Sequence, residues 1–154
     1  MIVYRIAKTR YVRDLSGVGA RIYGGRWNGK GTDVIYTSES RSLATVEYLI
    51  HMPLSLVPED LSIALIKISG KIASKNIQKS ELPANWRDSP PPLRLAEIGN
   101  AWLLKGSSLL LRVPSAVVEH EYNILIDPGH PDMKSVSIQS VEPYHFDVRL
   151  FKGI

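Results

Sequence analysis

No cysteine occurs among the 154 residues. That excludes disulfide staples and all thiolate chemistry, nucleophilic or metal-binding. Long apolar runs are missing too, and none approaches the roughly 20 residues a helix needs to cross a bilayer. The N-terminal stretch "MIVYRIAKTRYVRD" alternates apolar and basic residues and has neither the apolar h-region nor the small-residue cleavage site of a signal peptide. The expectation is a cytoplasmic protein that does not engage a membrane. Histidine is sparse. His51, His120, His130 and His145 share no tight spacing and form no H-x-x-x-H pair, so no metal is expected. The G-x-G-x-x-G, P-loop and G-x-S-x-G patterns are absent, which argues against a dinucleotide-binding βαβ unit, a P-loop and an α/β-hydrolase nucleophile. Internal repeats, coiled-coil heptads and a helix-turn-helix pattern are also lacking.

Acidic residues are scarce at one end of the chain. Residues 1 to 31 hold seven bases (Arg5, Lys8, Arg10, Arg13, Arg21, Arg26, Lys30) and a single acid, Asp14, for a local charge of +6 within a total of +4. An excess of this size suits an anionic partner, either nucleic acid or a phosphorylated small molecule; the alternative is a solvated basic face. The remaining composition, 44% hydrophobic and 22% charged, is that of an ordinary globule, and the length suits one domain over residues 1–154.

The order of elements reads as strand, loop, strand, helix, strand, flap, helix and three strands. "MIVYRIAK" alternates as a strand with Ile2, Tyr4 and Ile6 on one face. "DLSGVGARIYGGRWNGKGTD" (14–33), with six glycines, reads as a long ordered loop. "VIYTS" (34–38) is a short strand, and Ser38 or Ser40 caps a helix that runs to about His51 and is stopped by Pro53. "LSIALIKIS" (61–69) reads as a central strand. Residues 74 to 92, polar and proline-rich, read as a surface connection and candidate flap. "LRLAEIGNAWLLKG" returns to helical spacing with Leu95, Ile98 and Trp102 on one face, ending at Gly106. "SLLLRVPS", "AVVEHEYNILID" and "VSIQSVEPYHFD" read as three strands separated at Pro114-Ser115 and at the turn "DPGHP". The fold class is mixed α+β with a mainly antiparallel sheet.

One helix position stands out. In "SLATVEYLIHMP" (42–53), Leu43, Val46 and Ile50 recur at helical spacing, and Glu47 falls in the middle of that apolar stripe. Removing a carboxylate from water costs several kcal/mol unless donors or charges compensate. Glu47 is therefore either paired with a nearby arginine, or at the mouth of the core, or held at the floor of a cleft. Arg26 follows Gly24 and Gly25, which allow close backbone approach to a ligand, and its guanidinium suits phosphate oxygens. The competing reading packs it on Trp27. Tyr36 reads as a core tyrosine whose hydroxyl needs a partner, and Ser115 as a turn serine after Pro114.

Taken together these residues resemble the RES domain family. "GARIYGGRWNGKGTDVIYTSESRSLATVEYLIH" is similar to its front half, and "VPSAVVEHEYNILIDPGHPD" followed by "FDVRL" to its back half; the resemblance runs from "VYRI" to "FDVRL". The family's arginine, glutamate and serine match Arg26, Glu47 and Ser115, and a further active-site tyrosine matches Tyr36. Asp127 stands where many members carry asparagine. The resemblance implies a fold similar to ADP-ribosyltransferase toxins and a toxin of a type II toxin–antitoxin system. Such a toxin would consume NAD⁺ as substrate by hydrolysis or phosphorolysis at the nicotinamide–ribose bond, or would transfer ADP-ribose to a host protein. Its implied partner is an Xre-type helix-turn-helix antitoxin that blocks the active site. On this reading Arg26 grips the diphosphate. Glu47 stabilises an oxocarbenium-like transition state, holds ribose hydroxyls or orients the attacking water or phosphate. Tyr36 stacks on nicotinamide or donates to ribose. Ser115 positions the nicotinamide ribose or Glu47 without acting as a covalent nucleophile, and Asn123 joins the substrate-binding set. Because no helix-turn-helix pattern is present, a nonenzymatic nucleic-acid-binding module ranks last, and no direct contact with nucleic acid is expected.

Overall fold

The alternating N-terminal segment forms β1 (Ile2–Lys8). Both of its faces are covered, with Val3 in one apolar layer and Ile6 in another. The structure, a computed structural model, describes residues 1–53 and 55–152. After β1 come α1 (Val18–Tyr23), β2 (Ile35–Ser38), α2 (Arg41–Leu49), β3 (Leu61–Ile68), β4 (Ser74–Asn76), α3 (Leu93–Lys105), β5 (Leu110–Pro114), β6 (Tyr122–Ile126) and β7 (Val136–Tyr144). The strands make one seven-stranded sheet in the order β4-β5-β6-β2-β1-β3-β7. Every neighbouring pair is antiparallel except β4 with β5. This is the expected α+β class with a mainly antiparallel sheet. No helix among the described residues is long and apolar enough to cross a membrane.

One face of the sheet carries a layer built from Val3, Ala64, Ile66, Ile124 and Ile126. On the opposite face two clusters sit side by side. Trp27, Leu95, Trp102, Leu111 and Leu125 pack beneath α3, while Ile6, Ala44, Leu61 and Ile63 pack beside α2. Each fully buried aliphatic or aromatic side chain is worth roughly 1.5–3 kcal/mol by transfer. Leu95 and Trp102 thus hold α3 to the sheet, and Gly106 ends that helix in the left-handed conformation (φ 59°). Gly99 is the close-approach point of α3, because a Cβ there would lie 1.7 Å from the Trp27 carbonyl oxygen. The start of α2 is capped by Ser40, whose Oγ accepts the Leu43 N–H at 3.0 Å.

Several sequence expectations are corrected. The glycine-rich stretch contains α1, entered through Gly17 at φ 76°. The next helix ends at Leu49, short of His51, and Ile50 is 51% exposed at its C-cap where the stripe placed it inward. The stripe loses its last member to solvent because Ile50 lines an open cleft and not the packed layer. β3 lies one place in from an edge and is not central, since β7 covers only its outer side. Residues 74 to 92 are not merely a surface connection. They supply β4 to the sheet, and they bury Ile77 and Trp86 in the cluster beneath α3. In "AVVEHEYNILID" only Tyr122–Ile126 is strand. At Asp127 a carboxylate oxygen accepts the Gly129 N–H at 2.9 Å. An asparagine carbonyl would serve that turn equally, so the aspartate leaves the local structure intact.

Candidate active site

β1 and β2 are neighbours yet share a single ladder pair, Tyr4 with Ser38. β1 pairs along seven residues with β3, and β2 along four with β6. Beyond Tyr4 and Ser38 the two strands therefore diverge. The sheet opens into a cleft of about 790 Å³, lined by Tyr4, Arg5 and Ile6 on one bank and by Tyr36, Thr37 and Ser38 on the other. That volume lies in the range of small-molecule sites. Further walls come from α1 and the Gly24 to Trp27 segment after it, from Ala44, Glu47, Tyr48, Ile50 and His51 along and just past α2, from Ser89 to Pro91, and from Pro114, Ala116, Val117 and Asn123 on and beside β5 and β6.

Glu47 sits in this cleft, held by two neutral donors. Ser115 Oγ donates to its Oε1 at 2.8 Å, and Asn123 Nδ2 donates to the same oxygen at 2.6 Å. No donor among the described residues reaches Oε2. The carboxylate is thus oriented through one oxygen while the other keeps its lone pairs. Of the readings the sequence left open, the arginine-paired one is removed, because Glu47 makes no ion pair among the described residues. Asn123 is itself fixed by Ser38, whose Oγ donates to its Oδ1 at 2.7 Å. Adjacent strands bring these groups together, since Ser38 is the ladder partner of Asn123 and Val113 pairs with Asn123 from the other side.

Ser115 is 1% exposed and stands behind Glu47. Its Oγ accepts the N–H groups of Val117 (3.1 Å) and Val118 (3.0 Å) while giving its proton to the carboxylate. Both lone pairs and the proton are therefore engaged, which leaves nothing for nucleophilic attack.

Arg26 lines the cleft opposite, and its side chain does not stack on Trp27. Its Nη1 donates to the carbonyls of Trp86 (2.7 Å) and Asp88 (3.2 Å), so the 74–92 segment grips one end of the guanidinium. Among the described residues Nε and Nη2 make no hydrogen bond, and that edge is the fork that suits two phosphate oxygens. Burial lowers the Arg26 pKa below the ordinary value, against the opposing pull of Glu47, Tyr36 and Asp88. Trp27 turns into the core instead (3% exposed).

Tyr36 Oη donates to Asn28 Oδ1 at 2.7 Å and accepts the Trp27 N–H at 3.1 Å. Burial raises its pKa well above the usual range, so the hydroxyl keeps its proton and remains a donor. Tyr36 is among the residues that line the cleft.

Arg26, Tyr36, Glu47 and Asn123 thus share one cleft, and Ser115 touches it through Glu47. Arg5, Asn28 and Tyr48 were not singled out in the sequence, and His51 was weighed only as a metal ligand and a helix end. Arg5 counted only towards the charge excess; its Nη1 donates to the Asp14 carbonyl, and burial lowers its pKa against the pull of Asp14. The available signal was a cation in mid-strand between apolar residues. For Asn28, next to Gly29, the sequence suggests only a turn. Among the described residues no group of three or more histidine, aspartate or glutamate side chains could hold a metal ion.

In sequence and in fold the chain is similar to known proteins. The chain is 39% identical over 153 residues to "Toxin Res" of Yersinia enterocolitica serotype O:8 / biotype 1B, covering 97% of this chain and 99% of that one. It is 34% identical over 148 residues to "Prs ADP-ribosylating toxin" of Sphingobium sp. strain YBL2, covering 95% and 92%. In fold it is similar to a chain of the crystal structure of the M. tuberculosis MbcT–MbcA toxin–antitoxin complex. The TM-score is 0.72 at 18% identity, over 98% of this chain and 86% of that one. The RES domain matches residues 2–148, and the chain belongs to the RES domain family.

Proposed function

We propose that this protein is the toxin of a type II toxin–antitoxin pair and acts in the cytoplasm by cleaving the nicotinamide–ribose bond of NAD⁺. The observation that carries the reading is the Glu47 carboxylate, fixed at one oxygen by Ser115 and Asn123 and free at the other, in a cleft that also holds Arg26. The leaving group of NAD⁺ departs as neutral nicotinamide and needs no general acid, whereas most glycosidases need a second carboxyl group to protonate a leaving oxygen. One carboxylate suffices, and among the described residues Glu47 is the single carboxylate lining the cleft. It stabilises positive charge developing on the ribose, which is electrostatic catalysis by a preorganised group. The free edge of Arg26 takes the diphosphate, and Arg5 adds a second positive charge to the same cleft. The Tyr36 ring offers a stacking face for nicotinamide. Asn123 and Ser115 act through Glu47.

The acceptor is water or inorganic phosphate. A second reading, transfer of ADP-ribose to a host protein, is favoured by the name of the Sphingobium relative. An Xre-type antitoxin that covers the cleft is the proposed partner. Incubation with NAD⁺ and identification of the products tests the reading. Free nicotinamide without labelled protein supports cleavage, dependence of the rate on phosphate identifies phosphorolysis, and stable labelling of one host protein supports transfer. NAD⁺ that stays intact in the presence of the free toxin would sink both.

A further inference from the structure

We propose that Asn28 is a positioning residue that aims Arg26 at the substrate, an inference that rests on Arg26 binding the diphosphate. Asn28 is a polar side chain with only 2% exposure, and it uses its whole amide. Its Nδ2 donates to the carbonyls of Ala20 (2.9 Å), Gly29 (3.0 Å) and Thr32 (3.3 Å), and its Oδ1 accepts the Tyr36 hydroxyl. The main chain closes a tight turn around the same residue. The Gly25 N–H reaches the Asn28 carbonyl at 3.0 Å, and the Asn28 N–H reaches the Gly25 carbonyl at 3.4 Å. Arg26 and Trp27 form the tip of that turn. The Trp27 N–H is fastened to the same Tyr36 oxygen that donates to Asn28. The segment carrying Arg26 is thereby tied to α1, to the 29–32 loop and to β2, all through one side chain.

The mount leaves no slack. A Cβ added to Gly25 would meet Tyr36 Oη at 2.6 Å and Asn28 Oδ1 at 2.9 Å, so glycine is required where the clamp crosses the turn. At the far end of Arg26, Nη1 is held by the carbonyls of Trp86 and Asp88. A guanidinium fixed at its backbone and at one nitrogen presents its remaining edge in a single direction, and such preorganisation lowers the ordering cost of binding. Removing the Asn28 amide frees the backbone end and leaves the chemistry at Glu47 untouched.

Steady-state NAD⁺ consumption by Asn28→Ala, Tyr36→Phe and the double variant tests this. The expected result is a KM raised about tenfold or more in folded Asn28→Ala with kcat within about twofold, the pattern of lost ground-state binding, and a raised KM in Tyr36→Phe as well. The double variant should raise KM by less than the product of the two single effects, because the two side chains share the contact between Tyr36 Oη and Asn28 Oδ1 while each keeps bonds of its own. An unchanged KM in folded Asn28→Ala, a fall in kcat alone, or additive effects would overturn the proposal. If Asn28→Ala does not fold, Tyr36→Phe carries the test through the Arg26 Nε–H resonance, a readout that does not depend on contact between Tyr36 and the substrate. A parent protein that leaves NAD⁺ intact overturns the assigned reaction, and the clamp is then judged by the Arg26 Nε–H resonance. A shift or broadening in both variants supports the mount, and an unchanged resonance overturns it.

Discussion

Ser115 Oγ lies 2.8 Å from Glu47 Oε1, although 68 residues separate the two in sequence. A serine at a strand break and a glutamate inside an apolar stripe thereby explain each other. The serine caps the turn at Val117 and Val118 and spends its proton on the carboxylate.

Ser115→Ala removes that proton and leaves the half-buried N–H groups of Val117 and Val118 without their acceptor. Unsatisfied buried groups cost about 1–3 kcal/mol. The expected outcome is a lower urea midpoint together with a fall in kcat, because Glu47 keeps only the Asn123 bond. Equilibrium unfolding and turnover, measured on the same preparation, check both halves. A loss of stability with full kcat would separate Ser115 from Glu47.

Asn123→Asp should be more damaging to turnover than Asn123→Ala. It sets a second carboxylate at the position now 2.6 Å from Glu47 Oε1. Two carboxylates sharing a site cannot both ionise freely, so one pKa rises strongly. The pH profile of kcat/KM for Asn123→Asp should therefore gain a titration that Asn123→Ala lacks.

Arg26→Lys should fail to rescue binding although it conserves charge. An ammonium cannot hold two carbonyls and still present a planar fork to a diphosphate. The expected KM is close to that of Arg26→Ala, whereas Glu47→Gln lowers kcat by on the order of 10²-fold or more with the melting temperature little changed. Full activity of Glu47→Gln would remove the assigned site.

Gly99→Ala tests how α3 seats the Arg26 loop. The added methyl would fall 1.7 Å from the Trp27 carbonyl oxygen, a backbone atom that cannot swing aside. Overpacking typically costs about 1–3 kcal/mol, and the displaced loop should also raise KM. Denaturant melts and NAD⁺ titration report the two effects.

Stability should fall in acid. Asp14 is held below the ordinary carboxylate range by the Ser16 hydroxyl and N–H, Glu119 by Arg87, Glu142 by Arg41 and Asp147 by Arg149. A carboxylate whose folded pKa is depressed contributes stability that is present above its unfolded pKa and lost as pH falls through the folded one. The melting temperature should drop below about pH 4, and by less in high salt, because the three pairs with Arg87, Arg41 and Arg149 are exposed and screened.

The chain's own local chemistry determined much of this protein. Alternation marked β1, the apolar spacing of Leu95, Ile98 and Trp102 marked α3, and a carboxylate in an apolar stripe marked Glu47, since each signal lies within one element and obeys one period. The family resemblance was legible for the same reason, as its motifs are short and contiguous. Tertiary structure decided everything that depends on which elements meet. Strand order placed Asn123 beside Ser38 and Ser115 behind Glu47, and the splitting of β1 from β2 made the cleft. The 74–92 segment folded back to hold Arg26, a contact across 60 residues that no local pattern encodes. Asn28 became a clamp only because Tyr36 of a separate strand reached it. Hydrogen-bond partners and sheet register are properties of pairs distant in sequence, and a periodicity within one segment carries no information about its partner in another.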